Sequence, residues 1–410
     1  MYKKQALLNI VGNIVFLGSQ WFMLIIVVRM LGYESAGMFS LAITLAALFF
    51  IISVYGMRGF QVSDINREYT DQQYMLTRWI TISIGFLACG LYIIFQDYNA
   101  LQKSVIMLWM ASKSIEAFSD LVYGYYQNDN RFDRICISLT TKGLVQLGVF
   151  WLGLTVFSNL HYAMILSAIT VLIVVFVYDL PYVRKRVSPY IQFTKMSWKR
   201  TFDLLKMCFP LVVVLLTAPL LQAIPRVYYE ERYSAELFGI FSSVAAPTVV
   251  IHVLVANVLL PFVPRFAKLY YDSDSKSLSR LIFGAVGYTL AFGAVTMIAA
   301  LFFGEFALVV LYGESIRPYS GILYGIIIAV VSTAVLICFN TLFIPVRRLK
   351  SLAATLLFSC GVCYVFTPYF VDRFEMNGIA VAMITGQVVA VLLLTVQSLW
   401  MLKKMRRAER

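Results

Sequence analysis

The chain has 410 residues, of which 60% are hydrophobic and 13% are charged, and its mean hydropathy is +0.80. Soluble domains carry about 25% charged residues, so this composition excludes an ordinary soluble protein and indicates an integral membrane protein. The net charge of +13 is distributed between apolar runs, which favours membrane topology over nucleic-acid binding.

Long apolar runs predict the spanning helices, because a helix needs about 20 mostly apolar residues to cross a bilayer. The first run follows Lys3 and Lys4 and is longer than the apolar core of a signal peptide, so we interpret it as a retained first helix. The sequence predicts twelve spans, which are Leu7–Leu31, Ala36–Tyr55, Met75–Phe95, Ser104–Tyr126, Ile135–Phe157, Tyr162–Tyr182, Phe202–Ile224, Ala235–Leu260, Leu281–Phe303, Tyr319–Phe343, Leu352–Phe370 and Gly378–Leu402.

The basic residues between these spans predict the orientation of the chain. With the N-terminus inside, the inner segments hold 26 lysines and arginines, among them Arg58 and Arg78. The outer segments hold 6, which are Arg29, Lys103, Arg226, Arg232, Arg317 and Arg373. The positive-inside rule therefore predicts that both termini are cytoplasmic.

An internal repeat predicts the domain organisation. Residues Glu34, Gly37, Phe39 and Ser40 recur about half a chain later, in the same register, as Glu236, Gly239, Phe241 and Ser242. Phe60 and Tyr69 recur likewise as Phe262 and Tyr271. Six spans separate the copies, which indicates a parallel repeat about an axis along the membrane normal. We predict a six-helix lobe at 1–182, a basic cytoplasmic linker at 183–201 and a second six-helix lobe at 202–410.

The fourth predicted span carries an unusual polar face. At about 100° per residue, one side of this helix collects Trp109, Lys113, Glu116, Asp120, Tyr123 and Gln127. Charged groups in the bilayer core are costly unless they are paired or face water. Two accounts stay open from the sequence: a hydrated substrate path, or an internal Lys113–Glu116 ion pair that holds two helices together.

Further polar residues inside the predicted spans are candidate site residues. Lys142 can neutralise an anionic substrate or pair with Glu116 or Asp120. Asn13 and Gln20 share one face of the first span, where hydrogen bonding between helices is the alternative to a binding role.

Two other candidates lie near or within spans. Arg58, at the inner end of the second span, either anchors the membrane edge or guards the cytoplasmic mouth of a path. His252 lies deep in the eighth span, where a neutral hydrogen-bonded histidine is the alternative to a role in proton coupling. Prolines at 210, 219 and 225 in the seventh span, and Pro247 in the eighth, predict kinks.

Enzyme signatures are absent from the sequence. It contains no Gly-rich phosphate loop, no large outer loop and two histidines, His161 and His252. Cys360 and Cys363 form a lone Cys-x-x-Cys within a predicted span, without a second pair to complete a metal site. We therefore predict a protein that is not an enzyme and that uses no cofactor and no metal.

The motifs around the first two spans resemble a known family. Arg29-Met-Leu-Gly32, Gly37-Met-Phe-Ser40 and the run from Tyr55 through Arg58, Gln61 and Asp64 to Tyr69 resemble the opening of bacterial polysaccharide transport proteins. These are the O-antigen and capsule repeat-unit flippases of the multidrug/oligosaccharidyl-lipid/polysaccharide exporter superfamily. Glu236–Ser242 and Leu260–Pro264 resemble the start of that family's second half.

The resemblance implies a fold, a substrate and a location. The fold would be an all-α polytopic membrane protein with two six-helix lobes in a V around a central cavity. The implied function is flipping of undecaprenyl-pyrophosphate-linked oligosaccharide, for O-antigen in lipopolysaccharide or for capsule, across the bacterial inner membrane. The implied partners are that lipid-linked substrate, the lipid bilayer, a polysaccharide polymerase and chain-length machinery. A proton or sodium ion is a further candidate partner, for coupling.

Three alternatives stay open beside this reading. A multidrug extruder of the same superfamily usually carries a central carboxylate in the first or seventh span, whereas here Asp203 lies only at the entrance of the seventh. Lipid II flippases usually have more spans than this chain. A membrane-embedded polymerase or glycosyltransferase would be expected to carry a large outer loop or a soluble catalytic domain.

Overall fold

The protein is all-helical in the regions that its computed structural model describes. Those regions are residues 2–64, 66–186, 197–259, 262–344, 346 and 348–408, and no strand occurs within them. Internal contacts divide the chain into two compact units, Met1–Leu216 and Thr217–Arg410.

The first unit is a bundle of helices. It contains α1 (Tyr2–Val54), α2 (Met57–Ser63), α3 (Asp71–Ile94), α4 (Ala100–Asn128), α5 (Phe132–Phe157), α6 (Leu160–Val174), α7 (Leu180–Arg186) and the first part of α8 (Trp198–Arg232). In this bundle α1 packs against α3, α4 and α5. A π-helical turn, Val175–Asp179, joins α6 to α7. The unit boundary lies inside α8, whereas the sequence placed it in a linker at 183–201. Residues 187–196 of that linker lie outside the described residues, so the predicted domain boundaries stay a prediction.

The second unit is also a run of helices with one short helix within it. After the rest of α8 come α9 (Ala235–Ala245), a 3-10 turn (Ala246–Thr248), α10 (Val249–Leu259), α11 (Val263–Tyr271), α12 (Ser275–Tyr312), α13 (Ile322–Phe343) and α14 (Leu349–Ala408). The short helix α11 precedes a long helix, as α2 does in the first unit. This recurrence supports the internal repeat that the sequence predicts.

Eight helices in the described residues are long and apolar enough to cross a membrane. Two of them, α1 and α14, each contain two helical runs, which meet at Gly32 (φ 84°) and at Glu375 (φ 49°). Glycine reaches positive φ at little cost, so the predicted outer turn after the first span is reduced to a sharp bend at Gly32. The structure shows a multi-pass helical protein, while the count of twelve spans stays a prediction.

Prolines affect the two predicted kinked spans differently. The helix α8 stays one helical element from Trp198 to Arg232 although it contains three prolines. At Pro247 the helical run changes instead to a 3-10 turn between α9 and α10. The kink predicted at Pro247 therefore coincides with a change of helix type, whereas the kinks predicted at the prolines of α8 stay predictions.

The low hydropathy of α4 is explained by its position. Residues on most sides of α4 are buried, including Trp109, Tyr125 and Tyr126, which are fully buried. The helix contacts α1, α3 and α6 and so faces protein rather than lipid along most of its length. A helix enclosed by protein can carry polar groups, provided that neighbouring helices supply partners.

A close helix approach in α14 leads to a stability prediction. A Cβ atom added at Gly378 would collide with the carbonyl oxygen of Phe370 and lie 2.6 Å from Cα of Val371. We expect Gly378→Ala to destabilise the protein by about 1–3 kcal/mol, because backbone atoms have to move. Thermal unfolding of purified protein tests this expectation.

The matched control is Gly361→Ala in the same helix, since a Cβ atom at Gly361 meets no atom within 4 Å. This control should be neutral or slightly stabilising, because alanine favours helix over glycine by about 1 kcal/mol. Equal melting temperatures for both variants would contradict the close approach at Gly378.

Candidate functional site

A cavity of about 230 Å³ in the first unit brings most of the predicted site residues together. We call it the charged cavity. It lies between α1, α2, α4 and α5. Its lining consists of Asn9, Asn13, Phe16, Leu17, Phe50, Arg58, Lys113, Glu116, Ser119, Asp120, Tyr123, Leu139 and Lys142.

The helix α4 supplies the polar wall of this cavity. It starts with a capping box in which Asn99 and Gln102 each bond the other's backbone N–H. Lys113, Glu116 and Asp120 follow at helical spacing and all line the cavity, which confirms the polar face predicted from the sequence. The part of the lining that α4 supplies thus comes from one continuous face of a buried helix.

Asp120 is shared by two arginines. One carboxylate oxygen lies 3.0 Å from Nη2 of Arg78, and the other lies 3.6 Å from Nη1 of Arg58. Arg58 also donates from Nη2 to Oε1 of Gln127 at 3.1 Å. The side chain of Arg78 is 0% exposed, whereas that of Arg58 is 28% exposed. Arg78 therefore holds Asp120 in the protein interior, and Arg58 presents its charge to the cavity.

The position of Arg78 corrects one sequence interpretation. The sequence counted Arg78 among the inner topology residues, but the residue lies two turns inside α3 and is fully buried. Its Nη1 donates to the backbone oxygen of Ser53 on α1 at 3.0 Å. The signal that could have identified it is the depth of a charge within an apolar run, because such a charge requires an internal partner.

Lys113 and Glu116 form an ion pair of 2.8 Å within one helix. The Lys113–Glu116 ion pair that the sequence offered as one of two alternatives is therefore present, and its role in holding two helices together stays a prediction. Lys113 contacts α1 through aromatic rings, since its Nζ lies 5.6 Å from the ring centroid of Phe16 and 5.9 Å from that of Phe50. On its own helix, the same Nζ lies 5.0 Å from the ring centroid of Trp109. Oε1 of Glu116 is buried and has no hydrogen-bond partner in the described part of the chain.

Lys142 is held by Asp179, whereas the sequence left open either an anionic substrate or a pair with Glu116 or Asp120. Its Nζ lies 2.6 Å from Oδ2 of Asp179 and donates to Ser119 at 2.6 Å and to Tyr123 at 3.1 Å. The two charged side chains are 1% and 0% exposed. Asp179 ends the π-helical turn, which places its carboxylate beside α5. Lys142 thus borders the cavity, but its charge is neutralised internally.

Of the remaining predicted site residues, one lines the cavity, one does not, and the side chain of the third is not described. Asn13 lines the cavity and donates to the backbone oxygen of Asn9 at 2.7 Å, so its bond lies within α1 rather than between helices. Gln20 is absent from the cavity lining, and its buried Nε2 has no partner among the described residues. Position 252 lies in α10, but the side chain of His252 falls outside the described residues.

The motif residue Asp64 closes the loop between α2 and α3. Its carboxylate accepts hydrogen bonds from the backbone N–H groups of Glu68 and Tyr69 and from the hydroxyl of Tyr74. The motif that carries the family resemblance therefore has a structural role here. It fixes the chain that follows α2 and so the helix that carries Arg58.

The charges in and directly behind the cavity do not cancel. The cations are Arg58, Arg78, Lys113 and Lys142, and the carboxylates are Glu116, Asp120 and Asp179. Both lysine–carboxylate pairs are complete, so the surplus positive charge belongs to the group in which Asp120 serves two arginines. Arg58 is the more exposed of these arginines and the more distant from Asp120.

The Lys142–Asp179 pair leads to a prediction about stability. We expect Lys142→Met to destabilise the protein by about 3–5 kcal/mol, because the carboxylate of Asp179 would remain buried without its counter-ion. The double variant Lys142→Met, Asp179→Leu should recover most of that loss. Thermal unfolding in one detergent measures both effects.

The exposed pair of Arg131 and Asp133 supplies the control for this experiment, since its side chains are 47% and 46% exposed. Arg131→Gln should leave the melting temperature nearly unchanged, because exposed ion pairs contribute little. A double variant that is less stable than Lys142→Met alone would contradict the internal neutralisation of Lys142.

Known proteins share this architecture. The capsular polysaccharide biosynthesis protein CapF of Staphylococcus aureus is 22% identical over 397 residues, which cover 93% of this chain and 95% of that protein. The solved lipid II flippase MurJ, in an inward closed conformation, has a TM-score of 0.74 at 13% identity and covers 97% of this chain and 90% of its own.

Two further solved transporters have the same fold. A transporter of the MOP superfamily from Pyrococcus furiosus has a TM-score of 0.69 at 14% identity, over 99% of this chain and 95% of its own. The eukaryotic MATE transporter AtDTX14 has a TM-score of 0.69 at 12% identity, over 99% of this chain and 98% of its own. The profile of the family described as polysaccharide biosynthesis protein matches residues 3–270. The chain belongs to the polysaccharide biosynthesis protein family, with the all-helical fold of the MOP transporters.

Proposed function

We propose that the protein is a flippase that moves undecaprenyl-pyrophosphate-linked oligosaccharide repeat units, for O-antigen or capsule, from the cytoplasmic to the outer leaflet. Family membership and the similarity to a capsule biosynthesis protein support a role in polysaccharide assembly. The charged cavity supports the anionic lipid carrier as the group that is recognised. The observation that carries the proposal is the incompletely neutralised Arg58.

Arg58 has the chemistry to bind a pyrophosphate group. A guanidinium presents its donors in a planar fork that matches two phosphate oxygens at once. Its contact with Asp120 is long, at 3.6 Å, and its side chain is 28% exposed to the cavity. A doubly charged phosphate ligand can therefore replace Asp120 and Gln127 as the partner of Arg58 without breaking the tighter bond from Asp120 to Arg78.

Asp120 also allows release of the ligand. When the pyrophosphate leaves, the carboxylate of Asp120 and the amide oxygen of Gln127 neutralise and solvate Arg58 again. A transporter needs binding that is favourable in one state and reversible in the next, and an internal competitor keeps the affinity moderate. Arg78 stays bonded throughout and keeps the competitor in place.

The rest of the substrate follows from physical constraints. The polyprenyl chain is apolar and can stay in the lipid, whereas the pyrophosphate and sugars cannot cross about 30 Å of hydrocarbon unaided. The cavity holds the charged headgroup, and transport proceeds by alternating access of the two lobes to the two sides. With the N-terminus in the cytoplasm, Arg58 would meet the substrate at the loading side.

The test of this proposal is complementation of a flippase-deleted host. Arg58→Ala should lower surface glycan at least tenfold and raise the lipid-linked intermediate, while Arg58→Lys should retain part of the activity because it keeps the charge but loses the planar fork. Arg131→Gln is the control, since it removes an exposed arginine outside the cavity. Surface glycan and intermediate are scored at equal expression in the membrane.

Two outcomes would contradict the proposal. If Arg58→Ala exports glycan as well as wild type, Arg58 does not bind the headgroup. If wild type leaves the lipid-linked intermediate unchanged but increases tolerance to cationic drugs, the multidrug extruder replaces the flippase.

A further inference from the structure

Arg226 lies inside a spanning helix of the second unit. The sequence placed the end of the seventh span at Ile224 and counted Arg226 among the outer topology residues. In the structure α8 continues to Arg232, so Arg226 is followed by almost two more helical turns. The residue is half-buried, and its environment is protein rather than an open loop.

Arg226 has no hydrogen bond and no ion pair within the described residues. Its buried Nε lacks an acceptor. Its Cζ lies 5.9 Å from the ring centroid of Phe241 on α9, and that ring is 1% exposed. The ring of Phe241 accepts no conventional hydrogen bond, so the N–H groups of Arg226 stay available to a ligand.

Several other helical arginines have a charged partner. Arg58 and Arg78 share Asp120, and Arg232 on the same helix as Arg226 lies 3.5 Å from Asp372. Unpaired charges within membrane-spanning segments are costly and mark functional sites by default. Arg134, in the first turn of α5, also has a buried Nε without an acceptor among the described residues and lies over the rings of Tyr126 and Tyr182. Arg226 lies almost two turns inside the end of its helix, and its unpaired charge calls for a ligand that brings its own negative charge.

We propose that Arg226 binds the phosphate group of the carrier lipid at the unloading side of the transport path. This inference rests on the proposed flippase function and extends it to a second anion site. The positive-inside prediction places the C-terminal end of α8 outside the membrane. It places the short helix α2, which carries Arg58, at the inner side. One site would accept the pyrophosphate on loading, and the other would hold it before release.

The geometry favours the carrier lipid over a bulk phospholipid. Nε of Arg226 is buried against the protein, so its acceptor has to enter the second unit. The phosphate of a bulk lipid stays in the headgroup layer at the membrane surface. The pyrophosphate of a transported lipid is brought into the protein by the transport cycle itself.

A footprinting experiment tests this site directly. The full chain in phosphatidylcholine nanodiscs is treated with phenylglyoxal, which modifies free guanidinium groups, and mass spectrometry quantifies the adducts at Arg226 and Arg232. Three samples contain no added lipid, undecaprenyl pyrophosphate, or phosphatidylglycerol at the same mole fraction. We expect undecaprenyl pyrophosphate to lower modification of Arg226 at least fivefold and to leave Arg232 within twofold of the untreated level.

The outcomes divide clearly. Protection by undecaprenyl pyrophosphate without protection by phosphatidylglycerol supports the proposal. Equal protection by both lipids, or by neither, overturns it. Failure of Arg226 to react in the lipid-free sample also overturns it, because a guanidinium that cannot be reached by a small reagent cannot serve a headgroup.

Variants supply a second, independent test. Arg226→Gln should lower export at least tenfold while the melting temperature stays equal or rises, because removal of an unpaired buried cation relieves the protein of its desolvation. Arg232→Gln, on the same helix, should export normally. A lower melting temperature of Arg226→Gln with normal export per folded protein would show a structural role and overturn the proposal.

The two proposals fail separately. If wild type does not restore export in any host but Arg226 is protected by the pyrophosphate lipid, the phosphate site stands and the flippase assignment fails. If wild type restores export and Arg226 is neither protected nor required, the further inference alone fails.

Discussion

The first unit depends on the pairing of charged side chains inside a membrane-spanning bundle. Charges in hydrocarbon are tolerated when they face protein partners, and three such groups lie along α4 or beside it. Asp120 reaches α3 through Arg78, Lys113 meets the aromatic rings of α1, and Lys142 of α5 reaches Asp179 past α4. A slip of any of these helices would leave a buried charge without its partner, so the pairs fix the register of the bundle.

The degree of pairing separates structural charges from available ones. Lys142 and Asp179 are almost fully buried at 2.6 Å from each other, and the hydroxyls of Ser119 and Tyr123 occupy further donors of the lysine. Such a group has no capacity left for a substrate. Arg58 is in the opposite situation, because its carboxylate partner is bonded more tightly to another arginine. Lys142 and Arg58 both look like cationic site residues in the sequence, but only Arg58 has the capacity to bind an anion.

The sequence predicted the part of the site that depends on periodicity. Lys113, Glu116 and Asp120 are three and four residues apart, so their common face follows from the helix repeat alone. Their partners did not follow, because pairing is set by tertiary packing. Arg78 lies near the start of a span and resembled a topology anchor, and Asp179 lies two residues before Pro181 and resembled the end of a span. Both are charges one or two turns inside an apolar run, which is the signal that could have identified them.

Fold-level predictions divide in a similar way. The helical class follows from hydropathy, and the structure shows it, whereas the two six-helix lobes stay a prediction. Turn geometry did not follow from hydropathy: the bend at Gly32 needs a single residue with positive φ, where the sequence suggested a short loop. The kinks predicted at three prolines of α8 stay predictions, and the helix is one continuous element because neighbouring groups can satisfy the freed carbonyls in membrane helices.

The two units place positive charge in different settings, and this difference bears on how a lipid-linked anion can be moved rather than merely bound. In the first unit Arg58 has a competing carboxylate, so a ligand has to displace Asp120 and can be displaced by it in turn. In the second unit Arg226 has an aromatic ring and no competitor among the described residues. An anion held by a competed arginine exchanges readily, whereas one held by an uncompeted arginine leaves only when another force opposes it. In the proposed cycle, loading at Arg58 is reversible by local chemistry. Release from Arg226 requires a change of conformation or of solvation, which makes this second step the one where direction can be imposed.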